Sequence, residues 1–142
     1  MSAKNLLGIV VRGIRSDLSL CGKLEVFLSE QRKHLSMAET DLLEKVNLEI
    51  EELTLSLSKS SQIRAEAMSK FGLAPNKSGI ESLTKKLPKN LAEEVSEQFL
   101  GLEKAIERCR AVNDRNGEVL AGQKSMIDTL LGRDAKPYGE TD

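Results

Sequence analysis

Apolar residues recur along this chain at three- and four-residue steps, and no stretch alternates with a period of two. Steps of that kind place side chains on one face of a helix. The first stripe reads Leu6, Val10, Ile14, Leu18, Cys21, Leu24, Leu28 and Leu35, and predicts a helix to about Lys33. The second reads Leu43, Val46, Ile50, Leu53, Leu57, Ile63, Ala67 and Phe71, with Gly72 placed to end a helix in the left-handed conformation. The third begins at Leu91 and passes through Val95, Phe99, Leu102, Ile106 and Cys109. It then continues through Asn113, Asn116, Leu120, Gln123, Ile127 and Leu130 to a stop at Gly132. At the rise of an α-helix the third would be ~60 Å long and the second ~50 Å.

Helix starts are read from capping patterns. Ser36-Met37-Ala38-Glu39 and Ser78-Gly79-Ile80-Glu81 both have the spacing of a capping box, and Asn90 with Glu93 has a similar form. The second box opens a short helix that Pro88 ends, after a loop from Leu73 to Lys77 that holds Pro75. Gly8, Gly13 and Gly22 interrupt the first stripe, each at a cost of about 1 kcal/mol against Ala, so the first dozen residues are expected to fray. The expected architecture is all-α: an elongated antiparallel bundle of three long helices with a short helix before the last. Residues 1–132 would form the bundle, and residues 133–142, with Pro137 and Gly139, a flexible tail.

The third stripe turns polar midway, at Asn113-Asp114-Arg115-Asn116-Gly117, and then becomes apolar again. Two readings stand open. Polar seam residues can set register and orientation within a bundle. Alternatively they mark an exposed recognition segment: Gly117 and Gly122 weaken the helix there, and Val119, Leu120, Met126, Ile127, Leu130 and Leu131 could then re-pack on a partner.

Composition narrows the chemistry. The chain has 142 residues, enough for one domain with a real core. Only 3% are aromatic, with no Trp, so the core is built mainly of Leu, Ile, Val and Ala. The net charge of −1 names no partner, but its distribution does more. Residues 1–36 are net +3, 37–58 net −5, 59–90 net +5 and 91–142 net −4, an alternation that favours neighbouring helices lying side by side. The basic excess over residues 59–90 spans a helix end, a loop and a short helix with only Phe71 nearby. Pairing with the acidic fourth block is therefore expected in preference to nucleic acid.

No catalytic apparatus is evident. His34 is the only histidine, placed beside Lys33 at a helix end, where a cation is favourable. One His and two Cys far apart give no metal-ligand spacing, so neither a metal nor a cofactor is expected. Aligning Lys77 and Ser78 to a phosphate loop puts Phe71 and Asn76 where glycines are required. No run is long enough for stable membrane insertion and no signal peptide is seen, which points to a cytoplasmic protein with free thiols. Cys21 and Cys109 fall on apolar faces and are expected as buried small hydrophobes.

Three features together resemble the flagellar type III export chaperones of the FlgN family. One is a helix leading through Leu28-Ser29-Glu30-Gln31-Arg32-Lys33-His34-Leu35 into a second long helix that ends in Phe71-Gly72-Leu73. The second is Asn113-Asp114-Arg115-Asn116-Gly117, similar to the family's Asn-x-x-Asn-Gly. The third is a short tail with Tyr138-Gly139. The likeness spans roughly residues 18–140. It departs at Asp142, where the family often has Gly, and residues 1–16 match no part of the pattern.

The resemblance implies a chaperone, not an enzyme, for the hook–filament junction proteins FlgK and FlgL, delivering them to the export gate protein FlhA. It implies a cargo surface at Asn113, Asn116, Gly117, Val119, Leu120, Gln123, Met126, Ile127, Leu130 and Leu131, and a gate contact at Tyr138. The alternative is a helical adaptor or structural coiled coil that self-associates through the same seam. A homodimer fits either reading.

Overall fold

The computed structural model describes residues 2–117. Among them the element order is α1 (Ala3–Ser36), α2 (Thr40–Lys70), α3 (Lys77–Thr84) and α4 (Lys89–Asn116), with no strand. α1 is the central helix, packed along both α2 and α4, and α3 packs against α4. Cross-helix pairs give the directions. Asp17 meets Arg64 and Gln31 meets Asn47, so α2 runs antiparallel to α1. Arg15 meets Glu94 and Glu25 meets Arg108, so α4 runs parallel to α1, as an up–down–up path requires.

The predicted stripes form the core. Val10, Ile14, Leu24, Leu28, Ile50, Leu57, Val95 and Leu102 are at most 1% exposed. Burying a side chain of this kind contributes about 1.5–3 kcal/mol, and rows of them at helical spacing hold the three long helices together. The expected fraying of the first dozen residues is not found. Ser2 caps α1 by accepting from the Asn5 amide at 3.2 Å, and Leu6, Val10 and Val11 are buried. Core packing outweighs the glycine cost there.

Helix ends differ from the capping-box readings. Ser36 is the last residue of α1 and donates its hydroxyl back to the Lys33 carbonyl, while Glu39 receives His34 Nδ1 at 3.1 Å. The turn is instead a Schellman motif. The Glu39 amide donates to the His34 carbonyl and the Ala38 amide to the Leu35 carbonyl, with Ala38 at φ 52°. α2 ends in the same motif, with Gly72 at φ 71°, the Leu73 amide on Met68 and the Gly72 amide on Ser69, as its sequence predicts.

α3 is capped by Asn76, whose Oδ1 accepts from the Gly79 amide at 3.0 Å, and α4 starts after Pro88 rather than at Asn90. Gly79 is fixed by a close approach: a Cβ there would lie 1.7 Å from the Ala74 carbonyl oxygen.

The end of α4 is the largest departure. The third stripe predicts one helix to Gly132, but α4 stops at Asn116, and Gly117 adopts φ 95°, ψ −174°. That is backbone only glycine enters readily, and it turns the chain out of the helix.

Ile63 also departs from its stripe. It is 55% exposed, because Arg64 takes the inward position and pairs with Asp17. The basic block of residues 59–90 thus spends Arg64 on α1 and not on the acidic fourth block. It is α1 that pairs with α4, through Arg15–Glu94 at 2.5 Å and Glu25–Arg108 at 2.7 Å.

Candidate functional site: a polar clasp at the end of α4

The Asn-x-x-Asn-Gly segment lies where α4 reaches the C-terminal third of α1. Helical spacing turns Asn113 and Asn116 onto the same face as Ile106 and Cys109, and that face packs on α1. Asn113 is 1% exposed and Asn116 is 9% exposed. Asn116 donates from Nδ2 to the Leu28 carbonyl at 3.0 Å and to Gln31 Oε1 at 2.9 Å. Gln31 is itself fully buried and donates from Nε2 to Asn47 Oδ1 of α2 at 2.5 Å. One hydrogen-bonded chain therefore joins α4, α1 and α2.

The clasp explains the motif physically. Asn113 and Asn116 are turned inward, the orientation that the first of the two readings left open by the sequence requires. Asn113 is buried and Asn116 is bonded to α1. Among the described residues, Oδ1 of Asn113 and Oδ1 of Asn116 have no hydrogen-bond partner. Gly117 is exposed and starts the exit from the helix. The clasp holds the last turn of α4 in place, and Gly117 sets the direction in which the chain leaves it.

The other predicted site residues, Val119, Leu120, Gln123, Met126, Ile127, Leu130, Leu131 and Tyr138, lie outside the described residues. Sequence reasoning missed Gln31 and Asn47, the clasp's partners on α1 and α2. Gln31 does occupy a stripe position, three residues after Leu28, and that spacing is the signal that could have found it.

Two further features bear on function. Cys21 and Cys109 are free thiols, each 1% exposed, and Cys109 Sγ lies 3.6 Å from the Cys21 carbonyl oxygen. Burial pushes each thiol up to about 12, with the Asp17 carboxylate adding to the effect on Cys21. At the opposite end of the bundle, Leu7, Phe71, Leu73, Leu83 and Leu87 line an apolar groove of about 240 Å³. Among the described residues no group of His, Cys, Asp and Glu could hold a metal ion, and no helix is long and apolar enough to cross a membrane.

The sequence matches the family model described as FlgN protein over residues 1–132. The chain belongs to the FlgN family. The match includes residues 1–16, which the sequence pattern alone did not place. FlgN proteins are flagellar export chaperones, and that broad role holds for this chain. A Pseudomonas aeruginosa chain described as a flagella synthesis protein FlgN is similar in structure, with a TM-score of 0.77 and 20% sequence identity, over 92% of this chain and 98% of that one. At this identity the likeness speaks for the FlgN fold alone. No curated protein matches the chain.

Proposed function

We propose that this FlgN-family protein binds the C-terminal region of the hook–filament junction proteins FlgK and FlgL in the cytoplasm, keeps them unassembled and brings them to the export gate protein FlhA. The clasp is the observation that carries this reading. Asn113 is buried and Asn116 is bonded inside the bundle, so recognition is assigned to the apolar residues after Gly117. Val119, Leu120, Met126, Ile127, Leu130 and Leu131, with Gln123 among them, offer an amphipathic segment that cargo can pack against. Asn113, Asn116 and Gly117 position that segment without touching cargo. Tyr138 supplies an aromatic anchor for the gate.

The test is capture of a FlgK C-terminal fragment by the full chain. Leu120→Asp together with Ile127→Asp abolishes capture and leaves the bundle's thermal unfolding in place, because the core of the described residues is complete without either side chain. Normal capture by the double variant means that the surface lies elsewhere. In a second arm, Tyr138→Ala keeps cargo and loses affinity for the purified cytosolic domain of FlhA, and equal affinities retire the docking role.

A further inference from the structure

Cations collect at the end of the bundle where α1 and α4 begin and α2 stops. Lys4, Lys70, Lys77, Lys85, Lys86 and Lys89 are all exposed there. Glu81 is the only carboxylate between Lys70 and Asn90. Five of the six lysines belong to the basic block of residues 59–90, of which the core uses Arg64. Among the described residues none of the six forms an ion pair; the pairs between the long helices use Arg15, Arg64 and Arg108 instead. The first turns of α1 and α4 carry no acidic residue, so their helix dipoles add to the positive field. The opposite end mixes signs: residues 30–45 hold three Lys/Arg and four Asp/Glu.

The apolar groove opens at this same end. Leu7, Phe71, Leu73 and Leu87 are half-buried, Ala3 is exposed, and Lys4 and Lys86 line the groove beside them. Its 240 Å³ is below the ~300–1,000 Å³ of pockets that enclose a small molecule. Unpaired lysines around half-covered leucines call for an occupant with an anionic skin over an apolar layer. Nucleic acid supplies the charge without that layer, and a purely apolar ligand leaves the lysines unanswered. A membrane of anionic phospholipid supplies both. Lysine stems lie along the apolar surface while their ammonium groups reach phosphates, and leucines enter the boundary between headgroups and acyl chains. Clusters of about four to eight basic residues are the usual size of such a contact.

We propose that this end of the bundle is a peripheral docking surface for an anionic lipid membrane, with Lys4, Lys85, Lys86 and Lys89 on the phosphates and Leu73 and Leu87 at the acyl boundary. The contact is reversible and superficial; among the described residues no helix is long and apolar enough to cross a bilayer. The length of α4 sets Gly117 about 40 Å from this end, so the chain beyond Gly117 leaves the bundle on the side away from the lipid. The surface is separate from the segment after Asn116 and independent of what that segment binds.

Flotation of the full chain with lipid vesicles tests it. Wild type floats with vesicles of phosphatidylglycerol and phosphatidylcholine, is released as salt rises, and stays unbound with phosphatidylcholine alone. Each lysine neutralised in the series Lys85→Gln, Lys86→Gln and Lys89→Gln lowers affinity about fivefold and leaves the helical signal and thermal midpoint unchanged. Lys33→Gln with Lys45→Gln, at the opposite end, leaves vesicle binding unchanged. Leu87→Ser weakens binding without changing the charge. Ala3→Glu also weakens it, by placing a carboxylate at the groove in a first-turn position that the helix itself favours. A wild type that ignores the anionic vesicles overturns the proposal, as does equal binding to the neutral ones. So does binding that is indifferent to the three lysines, or equally sensitive to Lys33 and Lys45, which would make it a matter of net charge. Binding indifferent to both Leu87→Ser and Ala3→Glu would be adsorption without the groove and overturns the site. If the vesicles are ignored and the lysine variants instead lose affinity for the cytosolic domain of FlhA, this end serves a protein partner and the proposal also fails.

Discussion

Asn116 at the last turn of α4 donates from Nδ2 to the main-chain carbonyl of Leu28 on α1, at 3.0 Å. The bond spans a helix-to-helix contact inside a closed core, so neither group has water as an alternative partner. The same amide nitrogen reaches Gln31, which passes the connection to Asn47. Removing one member leaves buried polar groups unpaired, at about 1–3 kcal/mol each. Asn116→Leu is therefore expected to destabilise the bundle by about 1–3 kcal/mol, and Gln31→Leu by at least as much. The double variant should cost less than the sum, because each change removes a partner the other would have orphaned. Urea unfolding of the two single variants and the double variant measures the coupling. An additive result would mean that the two side chains do not act as one unit.

The helical architecture was legible because Leu, Ile and Val at three- and four-residue steps leave little choice of fold, and the residues inside the stripes are for the most part the buried ones. What the pattern hid is polar. Asp17, Gln31, Thr54 and Arg64 are all buried, yet each belongs to a residue type that ordinarily faces water. Arg64 displaced the neighbouring Ile63 from the core for this reason, since only a partner 47 residues away in sequence, Asp17, makes its burial tolerable. Capping boxes misled at Ser36 and Ser78 because Ser-x-x-Glu is a short pattern, and helix length is set by what packs along it. At the functional end, Asn-x-x-Asn-Gly was visible as an interruption. Its inward orientation was not, because that depends on which face of α4 meets α1.

Two helices end in the same turn with different residues at its left-handed position: Ala38 after α1 and Gly72 after α2. A Cβ in that conformation costs roughly 1–2 kcal/mol. Ala38→Gly relieves it, while the added freedom of the unfolded glycine takes back part of the gain, so the expected net stabilisation is about 0.5–1 kcal/mol. Gly72→Ala, with open space around its Cβ position, should cost about 1 kcal/mol through backbone strain alone. Paired thermal melts check the opposite signs. If both substitutions destabilise, contacts of the Ala38 methyl outweigh its strain.

The Asp17–Arg64 pair ties α1 to α2, and Arg64 also lines a small cleft with Phe99, Leu102 and Ile106 of α4. Both charges are nearly removed from water, at 2% and 6% exposed. Breaking such a pair from one side leaves a buried charge uncompensated, so Asp17→Asn and Arg64→Met should each cost about 3–5 kcal/mol. Replacing both at once, Asp17→Leu with Arg64→Met, removes both desolvation penalties and should cost less than either single change. Denaturant midpoints for the three variants decide the matter. A double variant as unstable as the worse single one would show that the pair's geometry, and not its charge balance, holds the helices in register.

Cys21 and Cys109 face each other's helices in the core, and burial raises both thiols from 9.0 to about 12. The folded state therefore binds two protons more tightly than the unfolded chain does. A raised folded value gives stability that is fully present below the unfolded value, and it is lost as pH climbs toward the folded one. Stability should accordingly hold steady below pH 9.0 on this account and fall between 9.0 and about 12. The test is a difference between wild type and a chain without the two thiols. Cys21→Ala with Cys109→Ala should start less stable at neutral pH, because the small cavities left behind cost packing, and should lose stability less steeply with alkali. Thiol labelling gives an independent reading: with both sulfurs closed off and protonated, modification in the native state should proceed only as fast as the bundle opens. Parallel slopes in wild type and variant, or immediate labelling of the folded protein, would place the thiols within reach of solvent and remove them from the core.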